Sequence, residues 1–219
     1  MLQLWRAVIR FAFHLFYNPF AFTYDFVSAL VSRGHWRAWT RAALARIVGT
    51  RVLELPCGTG NLMLDLIASG YAPIGVDLSP AMLRITRGKL KRARPERNAV
   101  ESKDAARLLR ARAEALPFAS RAFDSIVMTF PPGFAHNPRA LAEMNRVLDA
   151  RGRVIWVDGG RLLKRDAWDR ALDAALDVVS GTASLSRAEK LLAAAGFTTR
   201  VENVQDDASV VMVITATKG

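Results

Sequence analysis

Two stretches of this 219-residue chain place side chains and turns where a charged organic molecule could be held. The first, Val52-Leu53-Glu54-Leu55-Pro56-Cys57-Gly58-Thr59-Gly60-Asn61, is an apolar run that enters a glycine turn and then a helical pattern. Gly58 and Gly60 allow backbone angles that a Cβ forbids, so the chain can pass close beneath a ligand. The helix that follows offers free N–H groups at its start. The second stretch, Ile74-Gly75-Val76-Asp77-Leu78-Ser79, ends an apolar run in a carboxylate 17 residues after Gly60. An acid at the tip of a second strand is where a ribose diol is gripped. The pair therefore predicts an adenosine-containing cofactor. Proton transfer, if the chemistry requires it, would fall to His14, His35 or His136. For any single one of these, a surface or helix-capping role is the commoner reading. Cys57, the sole cysteine, has no paired thiol in the sequence and reads as a compact filler of the turn.

Positioning those stretches calls for an alternation of strands and helices. Strands are predicted at Arg51–Leu55, Ala72–Val76, Ala106–Ala113, Phe123–Thr129 and Gly152–Val157, and helices at Asn61–Ser69, Pro80–Lys91 and Pro138–Leu148. Strands separated by helices of this length pair in parallel through right-handed crossovers, with helices on both faces. Two further helices, about 164–179 and 186–195, precede the extended runs Gly196–Val204 and Ser209–Thr217, which Gln205-Asp206-Asp207-Ala208 joins as a hairpin. The expected fold is α/β: a doubly wound, mostly parallel, seven-stranded sheet with an antiparallel C-terminal hairpin strand. Residues 50–219 would form this unit and residues 1–49 an N-terminal helical extension.

That extension is oily. Met1 to Val31 carries nine of the nineteen aromatic side chains, but His14, Asn18, Pro19 and Asp25 interrupt any bilayer-spanning run. Helices are predicted over about 2–17 and 20–32, broken at Asn18-Pro19. Leu4, Val8, Phe11 and Leu15 share a face apart from Arg6 and Arg10, so this face either packs on the domain as a lid or rests on lipid. The chain carries a formal charge of +11, and from Arg84 to Arg112 eleven basic residues stand against three acids. An anionic partner is expected, although a solvated helix face would show the same run. With a single cysteine there is no intramolecular disulfide and no call for an oxidising compartment, which fits a cytoplasmic setting.

The segments VLELPCGTGNL, GVDLSPAMLRIT, AEALPFASRAFDSIVMTF and ALAEMNRVLDARGRVIWVD, in this order and spacing, resemble class I S-adenosylmethionine-dependent methyltransferases over roughly residues 50–160. They are most similar to the subgroup of ubiquinone and menaquinone methyltransferases and bacterial phospholipid N-methyltransferases. Tyr24-Asp25 and Gly34-His35-Trp36-Arg37-Ala38-Trp39 in the extension resemble theirs too. The resemblance implies a Rossmann-like fold and S-adenosylmethionine as cofactor, with no metal. It assigns Glu54, Gly58, Thr59 and Gly60 to the methionine side, Asp77 to the ribose, Leu78 and Met82 to the adenine pocket, and Thr129 and Phe130 to the sulfonium. His136 falls in the loop that faces the methyl group in this family, and Tyr24 is the other residue expected at the acceptor. Two positions depart from the pattern: Pro56 replaces the first glycine of the turn, and Arg112 stands where an acceptor for the adenine amino group is usual. A guanidinium cannot accept that bond, which leaves the backbone of Ala113 for the adenine.

The expected reaction is in-line methyl transfer to an amphipathic acceptor, either a phospholipid headgroup amine or a quinone-like lipid, with a soluble small molecule as the alternative. A short apolar extension argues against nucleic acid as the partner. An anionic membrane surface, with the protein peripheral on the inner face of the cell membrane, would use the extension and the basic stretch together.

Overall fold

The computed structural model describes residues 20–93, 107–163 and 185–219. The helix expected over 2–17, most of the basic run beyond Ala93, and the helix expected over 164–179 lie outside these residues.

Seven strands form one sheet: β1 (Val52–Glu54), β2 (Ile74–Asp77), β3 (Arg107–Arg110), β4 (Phe123–Thr129), β5 (Leu148–Leu162), β6 (Phe197–Gln205) and β7 (Ser209–Lys218). Their spatial order is β3-β2-β1-β4-β5-β7-β6. The first five are parallel, with Leu53 opposite Ile74 and Ile126, and Thr129 opposite Val157. β7 inserts between β5 and β6 and runs antiparallel to both, with Trp156 opposite Ile214. This is the doubly wound, mostly parallel sheet expected, with the hairpin supplying its antiparallel strand.

Period-2 alternation sorts the strand side chains into two cores. Leu53, Ile126, Met128, Val154 and Trp156 point to one face, where Leu141 and Met144 of α5 (Pro138–Val147) and Leu192 of α6 (Leu185–Ala194) cover them. Val52, Val127, Ile155 and Val157 point to the other face, against Leu62 and Leu66 of α3 (Asn61–Ala68). The second core also takes Trp39 and Ala43, so the N-terminal extension is packed into it. Its described part is a 3-10 turn (Ala21–Thr23), α1 (Tyr24–Val31), α2 (Trp36–Arg41) and a second 3-10 turn (Leu44–Arg46). Central strand β1 is buried at all three residues, as a strand with helices on both faces must be. Edge strand β3 turns Arg107 and Arg110 outward.

Most element boundaries fall within a few residues of expectation; β5 does not. It begins at Leu148, the last residue given above to the preceding helix, and continues past Val157 to Leu162. Charged and glycine-rich flanks, Asp149–Gly152 and Asp158–Arg161, break the apolar alternation and hide both extensions from a sequence reading. Pairing compensates: Leu148 lies opposite Phe123, and Arg161 and Leu162 lie opposite Val210 and Ser209 across a bulge.

Candidate active site

The carboxyl ends of β1, β2 and β4 converge at one end of the sheet, where open parallel sheets place their ligands. There the chain leaves β1 through Pro56 and turns at Gly58 (φ 51°) and Gly60 (φ 81°) into α3. The turn is braced from every side. Cys57 N–H donates to the Val76 carbonyl at 2.9 Å, Thr86 Oγ1 donates to the Gly58 carbonyl at 2.7 Å, and Gly58 N–H donates to Asp77 Oδ2 at 2.9 Å. Asp77 Oδ1 accepts the Ser79 N–H at 2.8 Å. The ribose candidate is thus also the post that holds the glycine turn to β2. Each carboxylate oxygen can accept more than one hydrogen bond, which leaves capacity for hydroxyl donors. Burial nevertheless lifts the Asp77 carboxyl above the ordinary range, against the pull of those N–H groups.

Glu54, at the end of β1, is enclosed, and among the described residues its Oε2 has no hydrogen-bond partner. Burial first, then the nearby Asp77 and Asp65 charges, push its carboxyl well above the usual range. A buried acceptor without a donor beside a glycine turn is what a cationic amino acid end would satisfy. Burial first, then the Glu54 and Asp77 carboxylates, push the Cys57 thiol up, which makes it a poor nucleophile. On the adenine side Leu78 is half exposed and Met82 fully buried. Ala113 is buried, and the Arg112 side chain points outward, 3.6 Å from Glu114.

The extension closes over this end. Asp25, on α1, accepts from Thr59 Oγ1 at 2.6 Å and from Asn61 Nδ2 at 3.0 Å, and pairs with Lys89 of α4 (Pro80–Ala93). α2 is tied to α3 by Arg37, which binds both oxygens of buried Asp65 at 2.7 and 3.2 Å. Phe130 leaves β4 with positive φ (46°), an uncommon conformation for a bulky residue, and its N–H donates to the Val157 carbonyl at 2.8 Å. Its ring stacks on Trp36 with centroids 4.2 Å apart, and Tyr24 meets the edge of Trp36 at 6.2 Å. Tyr24, Trp36, Trp39 and Phe130 form one aromatic cluster built from both parts of the chain. Phe130 therefore presents at most one face to a cation, since Trp36 covers the other.

His136 ends a 3-10 turn (Gly133–His136) after β4, and its ring meets the edge of Trp156 at 5.2 Å. Burial lowers its pKa, with the Asp158 charge opposing that shift and Arg187 adding to it. The imidazole is thereby kept neutral at neutral pH and able to accept a proton. Asn137 positions this loop by capping α5 and donating to Glu114 Oε1 at 3.0 Å. Asp25, Asn61, Lys89 and Trp36 did not stand out as site residues in the sequence. Asp25 and Trp36 lay inside segments already singled out, but nothing in one dimension says that they meet the glycine turn and β4. Among the described residues no group of three His, Cys, Asp or Glu side chains is placed to hold a metal ion.

Residues 52–152 match the family described as "Methyltransferase domain". This segment is a methyltransferase domain. The chain is 33% identical over 157 residues to a demethylmenaquinone methyltransferase of Symbiobacterium thermophilum, covering 68% of this chain and 59% of that one. It is 34% identical over 148 residues to the ubiquinone/menaquinone biosynthesis C-methyltransferase UbiE of Geotalea uraniireducens, covering 64% and 59%. The chain thus spans less than two thirds of the length of these relatives. Its fold matches that of an S-adenosylmethionine-dependent methyltransferase of Thermotoga maritima, a possible histamine N-methyltransferase, with TM-score 0.65, 23% identity and coverage of 94% and 99%. The open backbone of the glycine turn and the accepting oxygens of Glu54 and Asp77 fit S-adenosylmethionine at this end of the methyltransferase domain.

Proposed function

We propose that the protein transfers the methyl group of S-adenosylmethionine to an amphipathic acceptor carrying a flat ring, a quinone-like lipid. The observation that carries this is the aromatic cluster of Tyr24, Trp36 and Phe130 beside the glycine turn. Aromatic walls pack flat rings in offset or edge geometry and exclude water from them. The names of the quinone-methylating relatives support the same choice. Bound at the glycine turn, the cofactor supplies a methyl group already activated by its sulfonium.

What this chain must add is alignment and dryness. Asp77 fixes the ribose of the donor, and the glycine turn with Glu54 holds the methionine end, where Glu54 receives the ammonium. Thr129 and Phe130, at the tip of β4, border the space between donor and acceptor. Trp36 and Tyr24, held down by the Asp25 and Arg37 contacts, close it against water. His136, kept neutral by burial, takes the proton that a ring hydroxyl or carbon loses. Because α1 also shows lipid-compatible side chains, the acceptor would be reached from an anionic membrane surface. Phe26 and Leu30, four residues apart on α1, are 71% and 65% exposed, and Phe22 in the preceding 3-10 turn is 72% exposed. Arg84, Arg87, Lys91 and Arg92 are on neighbouring α4, with Arg84 and Arg87 exposed.

A methyl-transfer assay should compare three acceptors under the same conditions: a short-chain prenylated hydroquinone, phosphatidylethanolamine vesicles and soluble aromatic amines. Formation of S-adenosylhomocysteine with the hydroquinone, abolished by Trp36→Ala at unchanged donor affinity, is the expected result. Turnover confined to the vesicles or the amines would overturn the quinone-like lipid as acceptor and leave the methyltransferase assignment standing.

A further inference from the structure

A second polar site lies on the extension-bearing face of the sheet, away from the glycine turn. A cavity of about 450 Å3 is lined there by Arg46, Arg153, Arg200, Glu202, Thr215 and Thr217. Strand register explains the grouping. Arg153 lies opposite Thr217 and Arg200 opposite Thr215, and Glu202 follows Arg200 by two, so these side chains share one face of β5, β7 and β6. Arg46 reaches them from the 3-10 turn that closes the extension. Arg153 precedes Val157, the β5 partner of Thr129, by four residues, or roughly 13 Å along the strand.

The charges here do not balance. Glu202 is fully engaged, with Oε2 accepting from Arg46 Nε at 3.0 Å and Oε1 2.9 Å from Arg200 Nη2. Three guanidinium groups therefore face one carboxylate. The Arg153 side chain has no ion pair or hydrogen bond among the described residues, and its Nε is buried without an acceptor. A buried donor on a charged fork calls for an oxyanion, and two threonine hydroxyls stand beside it.

We infer that this cavity binds a phosphoryl-bearing anion, held by the forks of Arg153 and Arg200 and by the hydroxyls of Thr215 and Thr217. Glu202 orients Arg46 and Arg200 and repels any cation-free carboxylate or phosphate from its own edge, so the anion sits toward Arg153. The volume lies within the range of small-molecule sites and exceeds what an inorganic phosphate needs, so the phosphoryl group belongs to a larger molecule, a soluble phosphate ester or a lipid headgroup. Arg46 also donates to the Ala42 carbonyl at 2.8 Å, so the occupant bears on the end of the extension that carries Trp36 and Trp39. The inference stands independently of the acceptor assigned above.

Pyrophosphate titrated calorimetrically into the full-length protein at low salt is the test. One site is expected, weakened by added salt and at least about tenfold weaker in Arg153→Gln, with S-adenosylmethionine affinity unchanged. Should Arg153→Gln not fold, exposed Arg200→Gln and the near-isosteric Thr217→Val must each weaken pyrophosphate binding instead. Absence of heat and of any thermal shift at millimolar pyrophosphate, or equal binding by the variants, would overturn the site. A parallel arm separates the sources. If Arg153→Gln also weakens binding to phosphatidylglycerol vesicles and pyrophosphate competes with them, the occupant is a headgroup. If vesicle binding ignores both, it is a soluble ester.

Discussion

Glu54 and Asp77 show how a residue's surroundings set what it can do for a ligand. Both carboxyls are raised, first of all by burial, but Asp77 has backbone donors and Glu54 Oε2 has none. The sign of the consequence follows from linkage: a carboxyl whose folded pKa is raised stabilises the fold below its unfolded pKa, and that contribution is lost as pH rises through the folded value. A bound ammonium reverses the preference by favouring the carboxylate, so donor binding should expel a proton from Glu54. S-adenosylmethionine affinity is therefore expected to rise with pH across the Glu54 titration. Calorimetry in buffers of different ionisation heat should detect a released proton in the native protein. Equal proton release by Glu54→Gln would refute this role. Asp77→Ala is expected to weaken the donor by about 1.5–3 kcal/mol, the range for hydrogen bonds to a charged group. It should also lower thermal stability, because Gly58 N–H and Ser79 N–H lose their acceptor. Unchanged affinity in a folded variant would remove Asp77 from the ribose. His136 shares the origin, burial of the charged form, and runs the other way in consequence. Its pKa is lowered from 6.5, so the stability present above 6.5 is lost as pH falls toward the folded value.

At the scale of elements, the glycine turn separates two costs that look alike in sequence. A Cβ on Gly58 would meet nothing within 4 Å, whereas one on Gly60 would stand 2.4 Å from Thr86 Cγ2. Both residues have positive φ, so either substitution strains the backbone by about 1–2 kcal/mol. Only Gly60→Ala adds a collision with a buried side chain that already bonds the Gly58 carbonyl. Urea denaturation should show Gly58→Ala costing about 1 kcal/mol and Gly60→Ala about 3 kcal/mol. Equal costs would mean that α4 can shift away from the turn. The extension obeys a similar logic of few, specific ties. Its long-range contacts with the domain include the Asp25 network, the Arg37–Asp65 pair and the bond from buried Trp39 Nε1 to Ser209 Oγ at 2.9 Å. Gly160 is obligatory beside it, because a Cβ there would fall 2.4 Å from the Trp39 ring.

For the whole molecule, the apolar face of α1 and the charge of +11 are expected to act together. A basic surface contributes about 1 kcal/mol per well-placed Lys or Arg near an anionic leaflet, and salt screens that contribution. An inserted apolar face contributes in proportion to its area and survives salt. Co-sedimentation with vesicles should therefore require anionic lipid and weaken with salt. Phe22→Ser with Phe26→Ser, or removal of residues 1–17, should reduce the part that salt leaves. No binding to anionic vesicles even at low ionic strength would make the extension a lid alone and favour a soluble acceptor. No helix among the described residues is long and apolar enough to cross a membrane.

The local code was legible wherever one short segment does one job. The glycine turn, the acid closing β2 and the alternation of strands with helices need only neighbours in sequence to be recognised. They were enough for the wound sheet and for naming the glycine turn and Asp77 as candidates at its carboxyl end. Longer-range facts needed the folded chain. The ends of β5 are strand because β4 and β7 offer them hydrogen bonds, although Asp149–Gly152 and Asp158–Arg161 lack the apolar alternation of a strand. Phe130 is stacked because α2 brings Trp36 to it, and Asp25 bonds Thr59 because α1 crosses the turn. Arg153, an ordinary polar residue in its strand, loses its water only when β7 and the turn at Arg46 close over it. Backbone preference and hydrophobic period act over a few residues and are written in the sequence; desolvation and pairing depend on what folding brings near, and only the tertiary structure sets them.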